Sequence, residues 1–244
     1  MLTVTLMIPF CKFLPDLTNL RNCLDTLDKQ TQPAEQIILS DDSHPDDRAE
    51  VRDLCAQHGV TYLELPFVQY APAFARKFNR SFARATGDAV VLLCSNWLLG
   101  PDWIAEMAKW LRGLGPKNIV AGDNMRHHQR RTPDGPEFDW FAGYADRFEL
   151  TDHNYIDEGY LTMLYRQDWI PFDEAFDPEP GDLSEQKGNW HGVIDWGYRL
   201  MVKNHCRLWL RRDLQAEHQK SGNRPAWFPQ IAASNEQLTR KGVP

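Results

Sequence analysis

The chain has 244 residues, of which 42% are hydrophobic and 25% are charged, and its formal net charge at pH 7 is −7. This length corresponds to one or two domains with a sizeable core. The negative charge argues against a broad nucleic-acid-binding surface, because such surfaces bind mainly by neutralising phosphates. A local basic patch remains compatible with this composition.

The five cysteines are odd in number and scattered, and none of them forms a C-x-x-C pair. This usage is typical of a reducing compartment rather than of a disulfide scaffold. The first residues lack a basic segment followed by a long apolar stretch, so they do not resemble a signal peptide. The longest apolar run, residues 89–94, is too short to span a bilayer. We therefore expect a cytoplasmic protein with no transmembrane segment.

Short apolar runs alternate with amphipathic stretches over the first half of the chain. The predicted strands are 2–8, 37–39, 61–65, 89–93 and 119–121, and the predicted helices are 17–27, 47–58, 74–85 and 102–111. Such alternation is typical of βαβ units. The sequence therefore predicts an α/β fold with a mostly parallel sheet flanked by helices.

The alternation stops after residue 121. Residues 122–157 are rich in charged residues, Gly, Pro and His, which predicts long connections, and the basic cluster at 127–131 is either a solvated face or a contact for phosphates. Further on, the pattern predicts strands at 161–165 and 207–210, a loop at 171–192, a helix at 195–203 and a weak helix at 231–241. We find no flexible linker and therefore expect one compact domain.

Two adjacent carboxylates follow the second predicted strand, in the segment Asp41-Asp42-Ser43. Ligands of open α/β sheets bind at the carboxyl ends of the strands. Carboxylates at that position can accept hydrogen bonds from a nucleobase N–H or from ribose hydroxyls, whereas they would repel a bare phosphate. Alternatively, the segment is a turn that caps the following helix.

The opening of the chain resembles the family-2 type of GT-A nucleotide-sugar glycosyltransferases. The motifs that carry the resemblance are Ile8-Pro9-Phe10, Gln30-Thr31-Gln32-Pro33 and Asp41-Asp42-Ser43. The resemblance covers residues 2–222 and implies a Rossmann-like GT-A domain spanning 1–244. In that domain 1–121 is the nucleotide-binding half, 122–222 the acceptor-side half and 223–244 a C-terminal tail.

The resemblance continues over residues 79–103 but departs from the family at one motif. Cys94 and Asn96 stand where the two carboxylates of the family's D-x-D motif would fall. That motif holds a divalent cation, and Mg²⁺ and Mn²⁺ prefer oxygen ligands. Asn96 offers one neutral carbonyl oxygen and Cys94 is a poor ligand for a hard ion. A Mn²⁺ or Mg²⁺ cofactor would therefore be held weakly, by Asn96, a histidine and the donor phosphates.

The acceptor side of the family ends in an acidic motif followed by a helix reading like L-G-x-R-L. Residues 196–200 resemble that helix, and Asp195 fits the last acidic position. The acidic pair that the family places slightly earlier falls on Gly192-Val193. Asp195 and His191 are therefore the candidate catalytic bases. Asp195 is alternatively an N-terminal helix cap.

A polar segment after the last predicted strand resembles the loop that closes over the donor diphosphate. His218 stands where the family places a metal-binding histidine, and Lys220 and Ser221 are candidate phosphate contacts. The resemblance thus implies a full donor site. Its candidate residues are Pro9, Phe10, Asp41, Asp42, Asn79, Ser95, Asn96, Lys220 and Ser221.

The predicted function is transfer of a sugar from a nucleotide-sugar donor to a hydroxyl of a glycan or other acceptor, and the resemblance implies inversion at the anomeric carbon. Two alternatives stay open. The degenerate motifs would also suit a non-catalytic GT-A-like protein that binds a nucleotide sugar or a glycan. A transferase acting on a modified nucleic-acid base is disfavoured by the acidic charge.

Overall fold

The computed structural model describes residues 1–11, 17–67, 73–122, 148–149, 161–177, 190–211, 214 and 216–219. The strands are β1 Val4–Phe10, β2 Gln36–Asp41, β3 Thr61–Glu64, β4 Ala89–Leu93, β5 Trp97–Leu99, β6 Asn118–Gly122, β7 Phe148–Glu149, β8 Leu161–Tyr165, β9 Arg207–Arg211 and β10 Ala216–His218. The helices are α1 Leu17–Leu27, α2 Arg48–Gln57, α3 Phe74–Phe82, α4 Trp103–Leu114 and α5 Trp190–Tyr198, and α5 continues into a π-helical turn, Arg199–Lys203.

Eight of these strands form one sheet in the order β3-β2-β1-β4-β8-β6-β9-β7. Strands β1 to β4 are mutually parallel where they pair, and β6 pairs in parallel with β9. Strand β8 is antiparallel to both of its neighbours, β4 and β6. The predicted α/β fold with a mostly parallel sheet is therefore confirmed, and the second half of the chain inserts a strand into the middle of it.

The sheet is covered on both faces, which explains why β1 and β4 are apolar along their whole length. On one face, leucines of α1 and α2 and residues Ile104 and Met107 of α4 pack against β1 and β4. On the other face, Phe78 of α3 and Trp196 of α5 pack against Met7 and Leu92. Side chains of neighbouring residues on one strand therefore point to different helices.

Helix α5 begins at Trp190, five residues earlier than the sequence predicts. Two glycines in this stretch weaken the helical signal, but tertiary packing overrides propensity. Trp196 is buried, stacks on Phe172 with ring centroids 4.7 Å apart, and donates a hydrogen bond to the Ile170 carbonyl over 2.8 Å. Asp195 consequently lies inside the helix, and its interpretation as an N-terminal cap is wrong.

The short strand β5 is not predicted by the sequence pattern. It pairs antiparallel with β10, so that Trp97 lies opposite His218 in the register. A three-residue strand carries too little periodicity to be recognised, and its partner lies more than a hundred residues further along the chain. Most of the predicted connections at 122–157, and the predicted helix at 231–241, lie outside the described residues.

No helix in the described part of the chain is long and apolar enough to cross a membrane. All five cysteines are free thiols. Burial raises the pKa of Cys206 to about 11 and that of Cys55 to about 12, with the nearby carboxylates adding to both shifts. These two thiols are therefore protonated and unreactive at neutral pH.

Candidate functional site

The strand order reverses at β1, because β2 and β3 lie on one side of it and β4 lies on the other. In open α/β sheets, ligands bind in the crevice at the carboxyl ends of the strands beside such a reversal. Phe10, Asp41 and Leu93 end β1, β2 and β4, and they therefore lie at this edge of the sheet. The candidate site is built from these strand ends and the turns that follow them.

Asp41 ends β2 and is buried, with its carboxylate held by two donors. The Ser43 N–H donates to Oδ1 over 2.8 Å, and the Tyr62 hydroxyl donates to Oδ2 over 2.8 Å. Burial and this bond raise the pKa of Tyr62 well above its ordinary value, so the hydroxyl keeps its proton and stays a donor. Each carboxylate oxygen has two lone pairs, so Asp41 retains the capacity to accept a bond from a ligand.

Asp42 faces the opposite side of the sheet, toward α3. Its Oδ2 accepts a hydrogen bond from the Ala73 N–H over 2.8 Å. Its Oδ1 lies 2.5 Å from Lys77 Nζ, at an angle outside that of an aligned hydrogen bond, and both side chains are 0% exposed. The two form a buried ion pair. The structure thus separates the two adjacent aspartates, one held by β3 and the other by α3.

Arg48, a residue that sequence reasoning missed, clamps the turns after β2 and β3. Its Nε donates to the Ser43 carbonyl over 2.9 Å, and its Nη2 donates to the Leu65 carbonyl over 2.8 Å. Its Nη1 bonds Glu64 Oε1 over 2.7 Å. The sequence carries no signal for this role, because the burial of Arg48 is seen only in the structure, and arginine is almost never buried without partners. The clamp fixes the backbone that carries Asp41.

Asn79 links α3 to the segment that follows β8. Its Nδ2 donates to the Phe172 carbonyl over 3.0 Å and to Glu174 Oε1 over 3.0 Å. Its Oδ1 accepts the Phe172 N–H over 2.8 Å. Both ends of the amide therefore bind protein groups in this structure, and a role of Asn79 in donor binding stays a prediction.

Asp177, also missed from the sequence, caps α3 from a distant part of the chain. Its carboxylate accepts the N–H groups of Ala75 over 3.0 Å and Arg76 over 2.6 Å. Burial raises the pKa of Asp177 to about 7, against the downward effect of these two N–H donors. The residue that positions the first turn of α3 therefore titrates near neutral pH.

Gly87 explains why a small residue is required in the Ala85-Thr86-Gly87 motif before β4. A Cβ atom at this position would lie 2.8 Å from the backbone nitrogen of Thr5 on β1. The Gly87 N–H also donates to Thr5 Oγ1 over 3.0 Å. This close approach sets β4 against β1 at the starts of both strands, the edge of the sheet opposite the candidate site.

The turn after β4 carries Cys94, Ser95 and Asn96. Ser95 is buried, whereas Cys94 and Asn96 are partly exposed. The Gln219 N–H donates to the Asn96 carbonyl over 2.8 Å, and the neighbouring pair in the β5–β10 register is Trp97 with His218. The structure thus brings the backbones of Asn96 and His218 together. The side chain of His218 and all of Lys220 and Ser221 lie outside the described residues.

The donor set at the end of β4 does not fit a hard divalent cation. A thiol, a hydroxyl and an amide stand here in the order Cys94, Ser95 and Asn96. Mg²⁺ and Mn²⁺ are normally held by carboxylate oxygens, and this turn offers none. Cys94 and Asn96 lie in the turn directly after β4, and their standing in place of a metal-binding carboxylate pair stays a prediction.

One cluster of potential metal ligands, Asp25, Asp28 and His58, lies elsewhere in the described residues. These residues stand near the ends of α1 and α2, where the chain returns to the starts of β2 and β3. That is the edge of the sheet opposite the candidate site. His58 Nδ1 already lies 2.7 Å from Asp28 Oδ2, so the cluster is accounted for by a histidine–carboxylate contact.

Helix α5 presents one buried carboxylate, that of Asp195. Its Oδ2 accepts a hydrogen bond from Arg199 Nε over 2.8 Å, and Arg199 Nη1 donates to the Pro171 carbonyl over 2.9 Å. The positions of the family's acidic pair, Gly192 and Val193, are also buried. The backbone of His191 belongs to the same helix, and its side chain lies outside the described residues.

The comparisons with known proteins agree with this arrangement. Residues 6–171, more than half of the chain, match the model of glycosyl transferase family 2. The chain therefore belongs to glycosyl transferase family 2, a family of enzymes, and the resemblance inferred from its motifs is confirmed. A comparison with curated proteins finds no match.

Solved structures support the same fold. The chain resembles S. aureus TarS 1–349 in complex with UDP-GlcNAc, with a TM-score of 0.62, 13% identity, and coverage of 91% of this chain and 60% of that one. It also resembles GalNAc-T7 with UDP, GalNAc and Mn²⁺, with a TM-score of 0.64, 10% identity, and coverage of 98% of this chain and 48% of that one. The chain thus spans about half of the length of these proteins. At such identities the likeness concerns the fold.

Proposed function

We propose that this chain transfers a sugar from a UDP-sugar to a hydroxyl group of an acceptor. The observation that carries the proposal is the buried carboxylate of Asp41 at the carboxyl end of β2, beside the strand at which the sheet order reverses. Family membership supports the reaction class. The choice of uridine is supported by the UDP-GlcNAc bound to TarS and the UDP bound to GalNAc-T7.

The proposed donor site follows the strand ends. Asp41 accepts a hydrogen bond from the nucleobase or ribose, and Pro9 and Phe10 line the end of β1 beneath them. Ser95 and Asn96, at the end of β4, contact the diphosphate and the sugar. They follow β4, which pairs with β1, and this supports a role at the far side of the same crevice. The predicted diphosphate contacts Lys220 and Ser221 complete this proposal.

The proposed reaction is a single inverting displacement. The acceptor oxygen forms a bond to the anomeric carbon, while the bond from that carbon to the phosphate oxygen breaks and its electron pair leaves with UDP. A base takes the proton of the acceptor hydroxyl, which contributes roughly 10²- to 10⁴-fold. Asp195 is the proposed base, and His191 is the alternative on the same helix. The bond from Arg199 holds the Asp195 carboxylate in one orientation.

We propose that the reaction has a weak requirement for Mn²⁺ or none, in contrast to what the Mn²⁺ in the GalNAc-T7 structure would suggest by analogy. The reason is the donor set of Cys94, Ser95 and Asn96 at the end of β4. We also propose a cytoplasmic location, which the five free thiols support. The acceptor is a glycan or another hydroxyl compound, and the acidic charge disfavours nucleic acid.

One observation favours a second candidate, a non-catalytic protein that binds a nucleotide sugar or a glycan. Both acidic motifs of the family are replaced, by Cys94 and Asn96 at the end of β4 and by Gly192 and Val193 in α5. A binding protein needs neither a base nor a charge-neutralising cation. This candidate predicts donor binding without turnover.

Calorimetry of purified protein with UDP, UDP-GlcNAc, UDP-GalNAc and GDP, with and without Mn²⁺, tests the proposal. We expect UDP compounds to bind, GDP to bind more weakly, and Asp41→Asn to lower affinity for all UDP compounds. Asp102→Asn is the matched control, because Asp102 is an exposed aspartate that bonds Thr31 away from the crevice. Absence of UDP binding would contradict the proposal. Release of UDP from a bound UDP-sugar then separates the enzyme from the binding protein.

A further inference from the structure

We propose that Lys77 is a specificity-determining residue: by neutralising Asp42 it makes the carboxyl end of β2 accept a nucleotide that carries a diphosphate. This inference rests on the proposed function. It states how the charge of Lys77 allows the proposed site to bind an anionic donor beside Asp42. Two adjacent carboxylates at a donor site would repel a diphosphate. The structure supplies a cation for one of them.

The ion pair is fully enclosed. Asp42 and Lys77 are each 0% exposed, with 2.5 Å between Oδ1 and Nζ. Lys77 Nζ also lies 5.7 Å from the centroid of the Phe74 ring. Charges in such an environment are screened little by salt, and their fields reach further than those of surface charges. Removal of either partner therefore changes the potential felt at the neighbouring strand ends.

The pair is close enough to the crevice to act on a bound diphosphate. The Asp42 N–H donates to the carbonyl of Phe10, the last residue of β1, over 3.4 Å. Strand β1 in turn pairs with β4, whose end carries Ser95 and Asn96. Neighbouring strands lie about 4.8 Å apart, so two strand spacings give roughly 10 Å. At that distance and an effective dielectric constant of about 20, one unit charge alters the binding of another by about tenfold.

Stability alone does not explain a lysine at this position. A buried ion pair can often be replaced by packed apolar residues with no loss of stability. The amide of asparagine would serve equally well as acceptor for the Ala73 N–H that Asp42 now binds. Since Asp42 is present, Lys77 is the residue that cancels its charge beside the proposed site. Asp177 is ionised at the alkaline pH used below, which lies above its pKa of about 7, and the Arg76–Glu174 pair is present in every variant.

The test compares the wild-type protein with Lys77→Met, Asp42→Asn and the double variant. For each protein it measures the dissociation constants of UDP and of uridine, at low ionic strength and alkaline pH. Uridine carries no phosphate, so the ratio of the UDP constant to the uridine constant isolates the electrostatic effect. Lys77→Met should raise this ratio about tenfold, and Asp42→Asn should lower it. The double variant removes both charges, leaves no buried charge unpaired, and should restore the wild-type ratio. Circular dichroism verifies that each variant is folded.

A positioning role without electrostatics would weaken both ligands in parallel and leave the ratio unchanged. UDP binding by the wild-type protein with the same ratio in all variants therefore overturns this inference and leaves the proposed function intact. Absence of UDP binding by the wild-type protein overturns both. A single variant that is too unstable to fold leaves the comparison of the other single variant with the double variant. For the inference to stand, the ratio of the UDP constant to the uridine constant must then be higher in Lys77→Met, or lower in Asp42→Asn, than in the double variant.

Discussion

Replacement of Lys77 by methionine should lower the free energy of unfolding by about 3–5 kcal/mol, which is the usual cost of leaving the partner of a buried ion pair uncompensated. Lys77 and Asp42 are both 0% exposed. Methionine is unbranched and of similar length, so the substitution leaves little cavity, and the loss comes mainly from the charge of Asp42. Asp42→Ala should destabilise the fold as well, because that change leaves the buried charge of Lys77 unpaired.

A matched control is available on the surface of α4. Lys109 Nζ lies 3.2 Å from Glu106 Oε1, and the two side chains are 65% and 33% exposed. Exposed pairs contribute at most about 1 kcal/mol, so Lys109→Met should have a small effect. The double variant Asp42→Asn/Lys77→Met should be more stable than Lys77→Met, because it contains no unpaired buried charge and keeps an acceptor for the Ala73 N–H.

Urea unfolding followed by circular dichroism gives the free energies of unfolding of the wild-type protein and of these three variants by linear extrapolation. The loss of unfolding free energy caused by Lys77→Met should exceed that caused by Lys109→Met by at least about 2 kcal/mol. Equal midpoints for these two variants would show that burial does not set the strength of the pair. A double variant less stable than Lys77→Met would show that the unpaired charge of Asp42 is not the source of the lost stability.

Three further outcomes are expected. Burial raises the pKa of Asp177 to about 7 from an ordinary value of 3.8. The wild-type protein should therefore lose stability relative to Asp177→Asn as pH rises from about 4 through 7. An equal difference in unfolding free energy between the two proteins below and above this pH range would contradict the expectation. Asn96→Asp should tighten Mn²⁺ binding in calorimetry, since it restores one carboxylate. Asp195→Asn should lower turnover at least about a hundredfold with little change in donor affinity, whereas normal turnover beside an inactive His191→Ala would assign the base to His191.

The parallel half of the fold was predictable because its signals are local. Strands β1, β2 and β4 each contain a short apolar run, as buried parallel strands do. Strand β3, at the end of the strand order, reads Thr-Tyr-Leu-Glu and is exposed at both ends. Strand β8 was also predicted, with the same bounds, Leu161–Tyr165. The position of β8 between β4 and β6 was not predictable. An antiparallel strand needs no crossover helix, so the spacing of elements along the sequence does not reveal its neighbours.

The chemistry of Asp41 and Asp42 was only partly predictable. Period-two alternation along a strand already shows that adjacent residues point to opposite faces, so the sequence contains the information that they serve different partners. The partners themselves, Tyr62 and Lys77, lie on elements 21 and 35 residues away. No local pattern connects them to the aspartates, because the contacts exist only once β3 and α3 have packed against β2.

The position of Asp195 within its helix changes the meaning of the family motif around it. At a helix start, the carboxylate would stabilise the first N–H groups and no particular residue four positions later would be needed. In the interior, residues four apart are neighbours on one face, and Asp195 bonds Arg199 over 2.8 Å. The acidic residue and the arginine of the motif are therefore one paired unit, which the contact between Arg199 and the Pro171 carbonyl fastens to the segment after β8. If Asp195 is the base, the acceptor hydroxyl must approach a carboxylate whose orientation this arginine fixes, so the arginine is part of the geometry of proton removal and not only of the packing of α5.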